Sequence, residues 1–385
     1  MMSEIPRIAL TAASTTPLEQ TLLAQKKFFS ANLYPSYRQR IDDLKALKRL
    51  LIDNQQALIE ALSQDFGHRS ADDSKIGDIL TTVMGINYSI KRLKGWMKPE
   101  KRQVGVLFQP AKAKVIYQPK GVIGIIAPWN YPLFLSLGPL TTALAAGNVA
   151  MLKLSEYTPK TNALLAQLMI AVFATQKVAI VCGDAKVAAS FSALPFDHLI
   201  FTGSTEVGKL VMKSAAENLV PVTLELGGKS PAIIDHDMDV DTAVSRFILG
   251  KTINSGQTCV APDYILCPYD KIDDLVEALK TRYRSMYPNI NDNQDSTSII
   301  NEAQKSRLDG LINDAKHQGA TVIPLTDEPA EGRKMPLTLM TDVNDDMLVM
   351  QQEIFGPILP IVGYSKTRQA IDYVNRGPRP LALYI

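Results

Sequence analysis

The pattern of hydrophobic and polar positions predicts helices at the start of the chain. Across Ser36–Phe66, apolar residues recur at the three- and four-residue spacing of one helical face, and Gly67 stops the pattern. A second stripe of the same kind runs through Ile76–Met97. Residues 103–118 then form two extended runs around a proline, which predicts a protruding β-hairpin.

The middle of the chain alternates between β-branched runs and helical patterns. Each run is apolar on both faces, which is typical of a parallel sheet covered by helices on both sides. Ligands of such doubly wound α/β sheets bind beyond the carboxyl ends of the strands. The predicted strands are Val122–Ala127, Val149–Leu152, Val178–Cys182, His198–Phe201 and Val222–Leu226, and the helices between them are Pro132–Ala146, Pro159–Phe173, Ala185–Ser192 and Glu206–Asn218.

A second α/β set follows, and the two sets divide the chain into predicted domains 1–226 and 227–385. The last five residues, 381–385, form an apolar strand without a polar tail, so we expect the second domain to be incomplete at its C-terminus. The second set has predicted strands Ala232–Ile234, Tyr264–Cys267, Thr321–Ile323 and Ile358–Val362, and helices Val240–Ile253, Lys271–Tyr287 and Asn301–Lys316.

Composition narrows the class of protein. Of the 385 residues, 46% are hydrophobic and 21% charged, which is typical of globular proteins and excludes a disordered chain. The formal net charge of +2 gives no strong field for nucleic acid or an anionic membrane. Residues 121–152 carry no charge, but prolines and glycines interrupt them, so we interpret them as buried strands and a helix rather than a membrane span.

The three cysteines fit neither a disulfide framework nor a metal site. Cys182 and Cys267 fall in predicted strands and are expected to be inert core thiols. Cys259 lies in a loop and is the candidate nucleophile, although a lone loop cysteine is more often unreactive. The first residues lack the pattern of a signal peptide, which together with the cysteine usage predicts a cytoplasmic protein.

Two further segments that follow strands carry candidate catalytic groups. Asn130, held between two prolines, can donate its amide to a developing oxyanion or can cap the next helix. Glu225 precedes two glycines, and a carboxylate in a partly buried cavity can serve as a general base. An ion-paired or capping role for Glu225 stays open at this point.

Nucleotide-binding candidates follow two other strands. Lys153, Ser155 and Glu156 suit the hydroxyls of a ribose, or are solvated loop residues. Gly203 and Ser204 precede a helix whose free N–H groups can bind phosphate, or form a plain turn. The segment departs from the P-loop pattern because a leucine, at position 210, stands where the magnesium-binding Ser or Thr would be.

Six motifs occur in one characteristic order: GVIGIIAPWNYP, ALAAGNVAMLKLSEYTP, FTGSTEVG, LELGGKSP, GQTCVAPDY and EIFGP. In this order they resemble the NAD(P)-dependent aldehyde dehydrogenase superfamily, over nearly the whole chain. The short N-terminus and LKLSEYTP are similar to the class 3-like branch, which includes coniferyl aldehyde dehydrogenases. The resemblance implies a Rossmann-like dinucleotide-binding domain and a second α/β catalytic domain.

The resemblance also implies a catalytic role for three residues. Cys259 would attack the aldehyde to form a thiohemiacetal, which loses hydride to become a thioester. The Asn130 amide and the backbone N–H of Cys259 would hold the oxyanion. Glu225 would activate the water that releases the carboxylic acid.

For the cofactor, the resemblance implies NAD, with NADP as the alternative, and no metal. Glu156 would repel a 2′-phosphate, whereas Lys153 and Ser155 weaken that preference. The implied contacts are Lys153 and Glu156 to the adenosine ribose, Trp129 and Ser204 to the pyrophosphate, and Glu353, with Phe355 nearby, to the nicotinamide ribose.

The partners and the substrate are expectations from the same resemblance. The 103–118 hairpin is expected to bridge a homodimer of the full-length form, and the substrate to be an aromatic, coniferyl-type aldehyde or a long apolar one. Family members continue past residue 385, so the pocket is expected to be unfinished here. The alternatives are a CoA-acylating relative, a non-catalytic dinucleotide-binding module and, third, a P-loop nucleotidase.

Overall fold

The computed structural model describes residues 16–385 of the chain. The residues that bear on the signal peptide, 1–15, lie outside this part. Across 16–385, no helix combines the length and the apolar character that a membrane crossing needs. The uncharged stretch 121–152 forms two buried strands and a helix, as predicted.

The N-terminal region is helical, and its second apolar stripe is displaced from the predicted position. A π-helical turn, Ser74–Leu80, precedes α5, and such a turn holds more residues than an α-helical one. Ile76 and Leu80 are therefore 55% and 50% exposed, while Asp78 and Ile79 are buried. The helices are α1 (Pro17–Ser30), α2 (Tyr37–Asp53), α3 (Gln55–Phe66), α4 (Ala71–Asp73) and α5 (Thr81–Trp96).

The predicted hairpin is present, with shorter strands than the sequence suggested. β1 (Glu100–Arg102) pairs antiparallel with β2 (Ala113–Val115), so the first strand lies before residue 103. A 3-10 turn, Val106–Phe108, forms between them, and all three of its apolar side chains are exposed. An exposed apolar tip of this kind is typical of an association surface.

The first large sheet is doubly wound, as predicted, and all its pairings are parallel. Its strand order is β5-β4-β3-β6-β7. Successive strands are therefore added on one side of β3 as far as β5 and then on its other side, so the order reverses between β3 and β6. Ligands bind at such a switch point. The strands are β3 (Val122–Ile126), β4 (Val149–Lys153), β5 (Val178–Val181), β6 (His198–Gly203) and β7 (Val222–Leu226), and the helices are α6 (Pro132–Ala146), α7 (Pro159–Val172), α8 (Ala185–Ser192) and α9 (Thr205–Ala216).

The second sheet has the order β10-β11-β12-β9-β8, with only β10 antiparallel to its neighbour. The sequence missed β11, α13 and α14. The strands are β8 (Pro231–Ile233), β9 (Tyr264–Pro268), β10 (Thr321–Pro324), β11 (Thr338–Thr341) and β12 (Ile358–Tyr364), and the helices are α10 (Val240–Thr252), α11 (Ile272–Met286), α12 (Glu302–His317), α13 (Leu348–Gln351) and α14 (Thr367–Arg376).

Two details correct the strand predictions. The predicted strand at residues 381–385 is reduced to one bridge, in which Tyr384 pairs with Ala232 of β8. In the first sheet, β3 and β4 are buried along their whole length, but β7 lies at the edge and alternates between half-buried and exposed positions. The division into domains at 226/227 remains a prediction; it falls between β7 and β8.

Candidate active site

A cavity of about 1880 Å³ opens at the carboxyl ends of β3, β6 and β7. Asn130, Glu225 and Cys259 all line it, which places the three candidate catalytic groups around one space. Five of the candidate cofactor residues line it as well: Trp129, Gly203, Ser204, Glu353 and Phe355. The other three, Lys153, Ser155 and Glu156, lie outside the cavity lining, at the carboxyl end of β4.

The loop that carries Cys259 has an unusual backbone. After α10, Asn254 and Ser255 both have a φ of 52°, a left-handed conformation that non-glycine residues adopt rarely. Gly256 follows with a φ of 71°, and a Cβ there would lie 2.6 Å from the carbonyl oxygen of Gly356. Only glycine fits this approach of two backbone segments. The loop therefore leaves α10 in a sharply defined direction, with Cys259 facing the cavity.

The surroundings of Cys259 favour the neutral thiol. Burial raises the pKa of the Cys259 thiol, and the charges of Glu353 and Glu225 raise it further. The backbone N–H groups of Cys259 and Val260 act in the opposite direction. Both carboxylates are thus near enough to act on the sulfur, although neither forms an ion pair with a cation in the part of the chain that the structure describes.

Asn130 is held on the same side of the cavity as Cys259. Its side chain is 2% exposed, and Nδ2 donates to the carbonyl oxygen of Gln257 over 3.1 Å. In return, Nδ2 of Asn254 donates to the carbonyl oxygen of Asn130 over 3.2 Å. Tyr131 is the N-cap of α6, so Asn130 is not the helix cap that the sequence left open. The amide is therefore fixed beside the cysteine loop.

The environment of the Glu225 side chain differs from the one that the sequence predicted. It lies on the edge strand β7 and is exposed, rather than in a partly buried cavity. Within residues 16–385, no hydrogen bond or ion pair holds its carboxylate, so neither the capping nor the ion-paired alternative applies there. The carboxylate instead opens directly onto the cavity.

The residues at the switch point suit a phosphate and a flat ring. Ser204 is the N-cap of α9 and accepts from the N–H of Val207 over 3.4 Å, which leaves this helix N-terminus facing the cavity. Trp129, after β3, packs edge-on against Phe355 with the ring centroids 5.3 Å apart. Phe66 and Tyr157 contact Trp129 from other directions, so its ring is held in place.

Lys153 and Glu156 form an ion pair at the neighbouring strand end, with 3.3 Å between Nζ and Oε2. Lys153 is 2% exposed, whereas Glu156 is exposed, so the pair presents its acidic member outward. Ser155 accepts from the N–H of Tyr157 over 3.3 Å and stabilises the turn between them. Hydroxyl groups of a ribose would find both a donor and an acceptor here.

The other two cysteines differ from each other. Cys267 is buried in the second sheet, and burial raises its pKa to about 12, as expected for an inert core thiol. Cys182 is exposed, because β5 ends one residue before it, so its prediction as a core thiol is wrong. Across the described chain, no group of three His, Cys, Asp or Glu side chains is placed to hold a metal ion.

Glu353 packs tightly against the glycines that follow β7. A Cβ on Gly227 would lie 2.1 Å from Oε2 of Glu353, so a larger residue at position 227 would displace the carboxylate. Burial raises the pKa of Glu353 to about 7, and a hydrogen bond from the backbone of Gly228 opposes that rise. The carboxylate therefore changes its charge near neutral pH.

Sequence reasoning missed several residues of the site. Tyr88 and Trp96 of α5 and Phe134 of α6 line the cavity. Tyr88 and Trp96 lie off the apolar stripe of their helix, and large exposed aromatics in such positions were the available signal. Tyr131 and Thr258, which contact each other beside the candidate catalytic residues, gave no signal, because only the fold brings them together.

A thiol, a fixed amide and a carboxylate thus share one cavity at the switch point of a doubly wound sheet. This arrangement is typical of enzymes that bind a dinucleotide beside a reactive side chain. The chain belongs to the aldehyde dehydrogenase family, whose sequence profile matches residues 10–385. It is an oxidoreductase that oxidises an aldehyde to the carboxylic acid with NAD(P)⁺.

Individual relatives agree with this assignment. A probable coniferyl aldehyde dehydrogenase from Pseudomonas aeruginosa is 50% identical over 384 residues, which are 100% of this chain and 80% of the relative. Aldehyde dehydrogenase family 3 member B1 from Bos taurus is 40% identical, over 96% of this chain and 78% of the relative. The substrate-bound Staphylococcus aureus AldH structure superposes with a TM-score of 0.92 at 36% identity, covering 96% of this chain and 80% of that one. The predicted resemblance to the class 3-like branch is confirmed.

Proposed function

We propose that Cys259 is the nucleophile of the aldehyde oxidation, that Asn130 and the backbone N–H of Cys259 hold the oxyanion, and that Glu225 activates the hydrolytic water. The observation that carries this proposal is that Cys259, Asn130 and Glu225 line one cavity. The alternative of an inert loop cysteine does not explain why a fixed amide and a free carboxylate open onto the same space.

The first half of the reaction uses the thiol and the amide. The Cys259 thiol gives its proton to solvent, its sulfur bonds to the aldehyde carbon, and the carbonyl oxygen becomes an alkoxide. Donors fixed in advance at that oxygen stabilise the charge, typically by about 3–4 kcal/mol for one donor. A dinucleotide bound in the crevice would supply the acceptor for the hydride that leaves the carbon, and the carbon then remains attached to the Cys259 sulfur as a thioester.

The second half of the reaction uses Glu225. Its carboxylate takes a proton from water, whose oxygen attacks the thioester carbon, and the carbon–sulfur bond breaks to release the acid. An exposed carboxylate with no competing partner is free to reach a water molecule. A CoA-acylating enzyme would not need this base, so the position of Glu225 favours hydrolysis.

The residues on the crevice fit a dinucleotide. The N-terminus of α9 at Ser204 suits a pyrophosphate, and Glu353 beside Gly227 suits ribose hydroxyls. We assign the preference for NAD over NADP to Glu156. Its outward carboxylate would repel a 2′-phosphate, and its ion pair engages the ammonium of Lys153.

For the substrate, we propose an aromatic aldehyde of the coniferyl type. Tyr88, Trp96 and Phe134 line the part of the cavity built by α5 and α6, and aromatic rings pack well against a flat substrate ring. The similarity to a probable coniferyl aldehyde dehydrogenase supports the same class. A long apolar aldehyde is the second candidate.

One experiment tests these assignments together. NADH and NADPH production is measured with a panel of aromatic and aliphatic aldehydes, with and without CoA. We expect turnover with NAD⁺, without CoA and fastest for the aromatic aldehydes. The variant Cys259→Ser should lose this turnover by at least about a thousandfold, and Cys182→Ser, the matched control on an exposed thiol, should keep it. Full activity of Cys259→Ser would refute the mechanism.

The quaternary structure and location stay predictions of the same kind. We propose a homodimer in which the hairpin tip is covered, because Leu107 there is 95% exposed and Val106 88%. Sedimentation velocity that shows only monomers of a full-length form would contradict it. A cytoplasmic location is proposed from the sequence alone, and fractionation of the producing cells tests it.

A further inference from the structure

Ten residues outside the cavity lining contact both the segment next to Asn130 and the loop that carries Cys259. We call Arg69–Asp78 the bracing segment; it contains α4 and the first part of the π-helical turn. None of its residues lines the cavity. Its side chains nevertheless reach both the start of α6, next to Asn130, and the loop that carries Cys259.

The first contact is at the start of α6. Oδ1 of Asp78 accepts from the N–H groups of Leu133 and Phe134, over 3.0 and 2.9 Å. These N–H groups belong to the first helical turn and have no partner within the helix. A carboxylate at this position also interacts favourably with the helix dipole. Asp78 thereby fixes the direction in which the chain leaves Asn130.

The second contact surrounds the ring of Tyr131. Arg69 is buried, its Nη2 lies 3.0 Å from Oδ2 of Asp78, and its guanidinium carbon lies 5.0 Å from the centre of the Tyr131 ring. On another side, a Cβ on Gly77 would lie 2.3 Å from Cε1 of Tyr131. The tyrosine ring therefore fits a slot that a glycine and a stacked guanidinium leave open.

In this slot, the hydroxyl of Tyr131 contacts the loop that carries Cys259. The Tyr131 hydroxyl lies 3.0 Å from Oγ1 of Thr258. Burial raises the pKa of Tyr131 to about 12, so the hydroxyl stays protonated near neutral pH. Asn130 and Tyr131 are adjacent in the chain, as are Thr258 and Cys259, so this hydrogen bond ties the amide to the sulfur.

The third contact supports the left-handed backbone of the loop. Oδ2 of Asp73 accepts from the N–H of Asn254 over 2.8 Å and from the hydroxyl of Thr297 over 2.8 Å. A left-handed φ at a non-glycine residue such as Asn254 is strained and persists only when its surroundings hold it. Asp73 is therefore one of the groups that hold the loop in the conformation that presents Cys259.

We propose that the bracing segment positions Asn130 and Cys259 relative to each other, with the hydrogen bond between Tyr131 and Thr258 as the connection that sets this geometry. The proposal rests on the proposed function of Asn130 and Cys259. Four side chains are positioning residues, since they do not line the cavity and act through the proposed catalytic groups: Arg69, Asp73, Asp78 and Tyr131. Small displacements of reacting groups slow a reaction strongly.

A double-mutant cycle on Tyr131→Phe and Thr258→Val tests the connection. Each variant removes one hydroxyl with little change in volume. We expect each to slow the single-turnover formation of NADH by about tenfold, since a lost buried hydrogen bond or a small misplacement has effects of this size. The KM for NAD⁺ should stay unchanged, the double variant should be no slower than either single variant, and Thr258→Ser should restore the rate to within about twofold.

The matched control is Tyr283→Phe. Tyr283 is also buried, and its hydroxyl accepts from the backbone N–H of Leu337, the residue before β11. This variant should lower the Tm but leave the single-turnover rate unchanged. If Tyr131→Phe lowers the Tm as Tyr283→Phe does and leaves the rate unchanged, the role is structural and the proposal is wrong.

The remaining outcomes are equally decisive. Effects of Tyr131→Phe and Thr258→Val that multiply in the double variant would show independent roles and overturn the connection. Should one of these variants fail to fold, the comparison of Thr258→Ser with the unaltered enzyme decides, since a tenfold loss in Thr258→Ser contradicts the proposal. Activity that persists in Cys259→Ser would overturn the proposed function itself, which distinguishes that failure from a failure of the bracing segment.

Discussion

The two sides of the cavity differ in how their catalytic candidates are held. Asn130 and Cys259 lie on segments joined by three hydrogen bonds, and Asn130 is 2% exposed. Glu225, which lines the same cavity, is exposed on an edge strand, and its carboxylate has no hydrogen-bonded partner among residues 16–385. The groups proposed for attack and oxyanion binding are therefore fixed in place, whereas the proposed base has a carboxylate that is free to reach water.

This difference matches the two steps of the proposed reaction. Stabilising an alkoxide requires donors that are already in place when the charge develops. Activating water requires a base that can reach a water molecule, and this water molecule is replaced each time the acid is released. A site that catalyses both steps therefore benefits from a rigid arrangement around the thiol and the amide and from an open environment around the base. The predictions below aim at each side in turn.

Replacing the amide should have the largest effect. In Asn130→Ala, the alkoxide loses a fixed donor, so we expect the single-turnover formation of NADH to fall by roughly 10²–10³-fold. Stopped-flow absorbance measures this rate. The control is Asn87→Ala, an exposed amide outside the cavity lining, which should leave the rate unchanged. A rate for Asn130→Ala within about twofold of the unaltered enzyme would show that this side does not bind the oxyanion.

Replacing the base should slow turnover without slowing the first step. In Glu225→Gln, the steady-state rate should fall by about a hundredfold, since water is no longer activated. A burst of about one NADH per active site should remain, because the thiol side is unchanged. Glu206→Gln is the matched control, since Glu206 is another exposed carboxylate on the same cavity. Loss of the burst in Glu225→Gln would mean that the two sides are not separate.

A smaller effect is expected from replacing the half-buried carboxylate of Glu353. The charge of Glu353 raises the pKa of the Cys259 thiol, so Glu353→Gln should lower that pKa and increase the thiolate fraction at pH 8. Alkylation of Cys259 by iodoacetamide should therefore become faster, by about threefold.

The pH dependence of that effect has a defined sign. Because the pKa of Glu353 is about 7, the carboxylate is charged above that pH and largely protonated well below it. The difference in alkylation rate between Glu353→Gln and the unaltered enzyme should therefore be present at pH 8 and shrink towards pH 6. A slower alkylation of Glu353→Gln at pH 8 would contradict the assigned sign.

Much of this architecture was predictable from local patterns. The bounds of α6, α8 and β7 agree with the predicted ranges to the residue, because prolines, glycines and β-branched runs mark their ends locally. The π-helical turn was not predictable, since a 3.6-residue period assumes α-helical geometry throughout. It is this turn that moves Asp78 into the core and Ile76 out of it.

The candidate site was predictable only in part. Asn130, Glu225 and Cys259 stand in motifs of fixed spacing, so the sequence pointed to them directly. The exposure of Glu225 and of Cys182 depends on which strand is at an edge and where a strand ends, and apolar runs do not encode either. The contact between Tyr131 and Thr258 joins residues 127 positions apart, and it follows from the packing of the whole chain.

The central claim is that the substrate carbon becomes bonded to Cys259 and that Glu225 is needed to release it. Mass spectrometry of Glu225→Gln, quenched with acid after mixing with aldehyde and NAD⁺, tests this most directly. An acyl adduct is expected on the peptide that contains Cys259, with a mass gain equal to the mass of the aldehyde less two hydrogen atoms, and no adduct is expected on the peptide with Cys182. An enzyme that forms NADH without an adduct, or that carries the adduct on another residue, would contradict it.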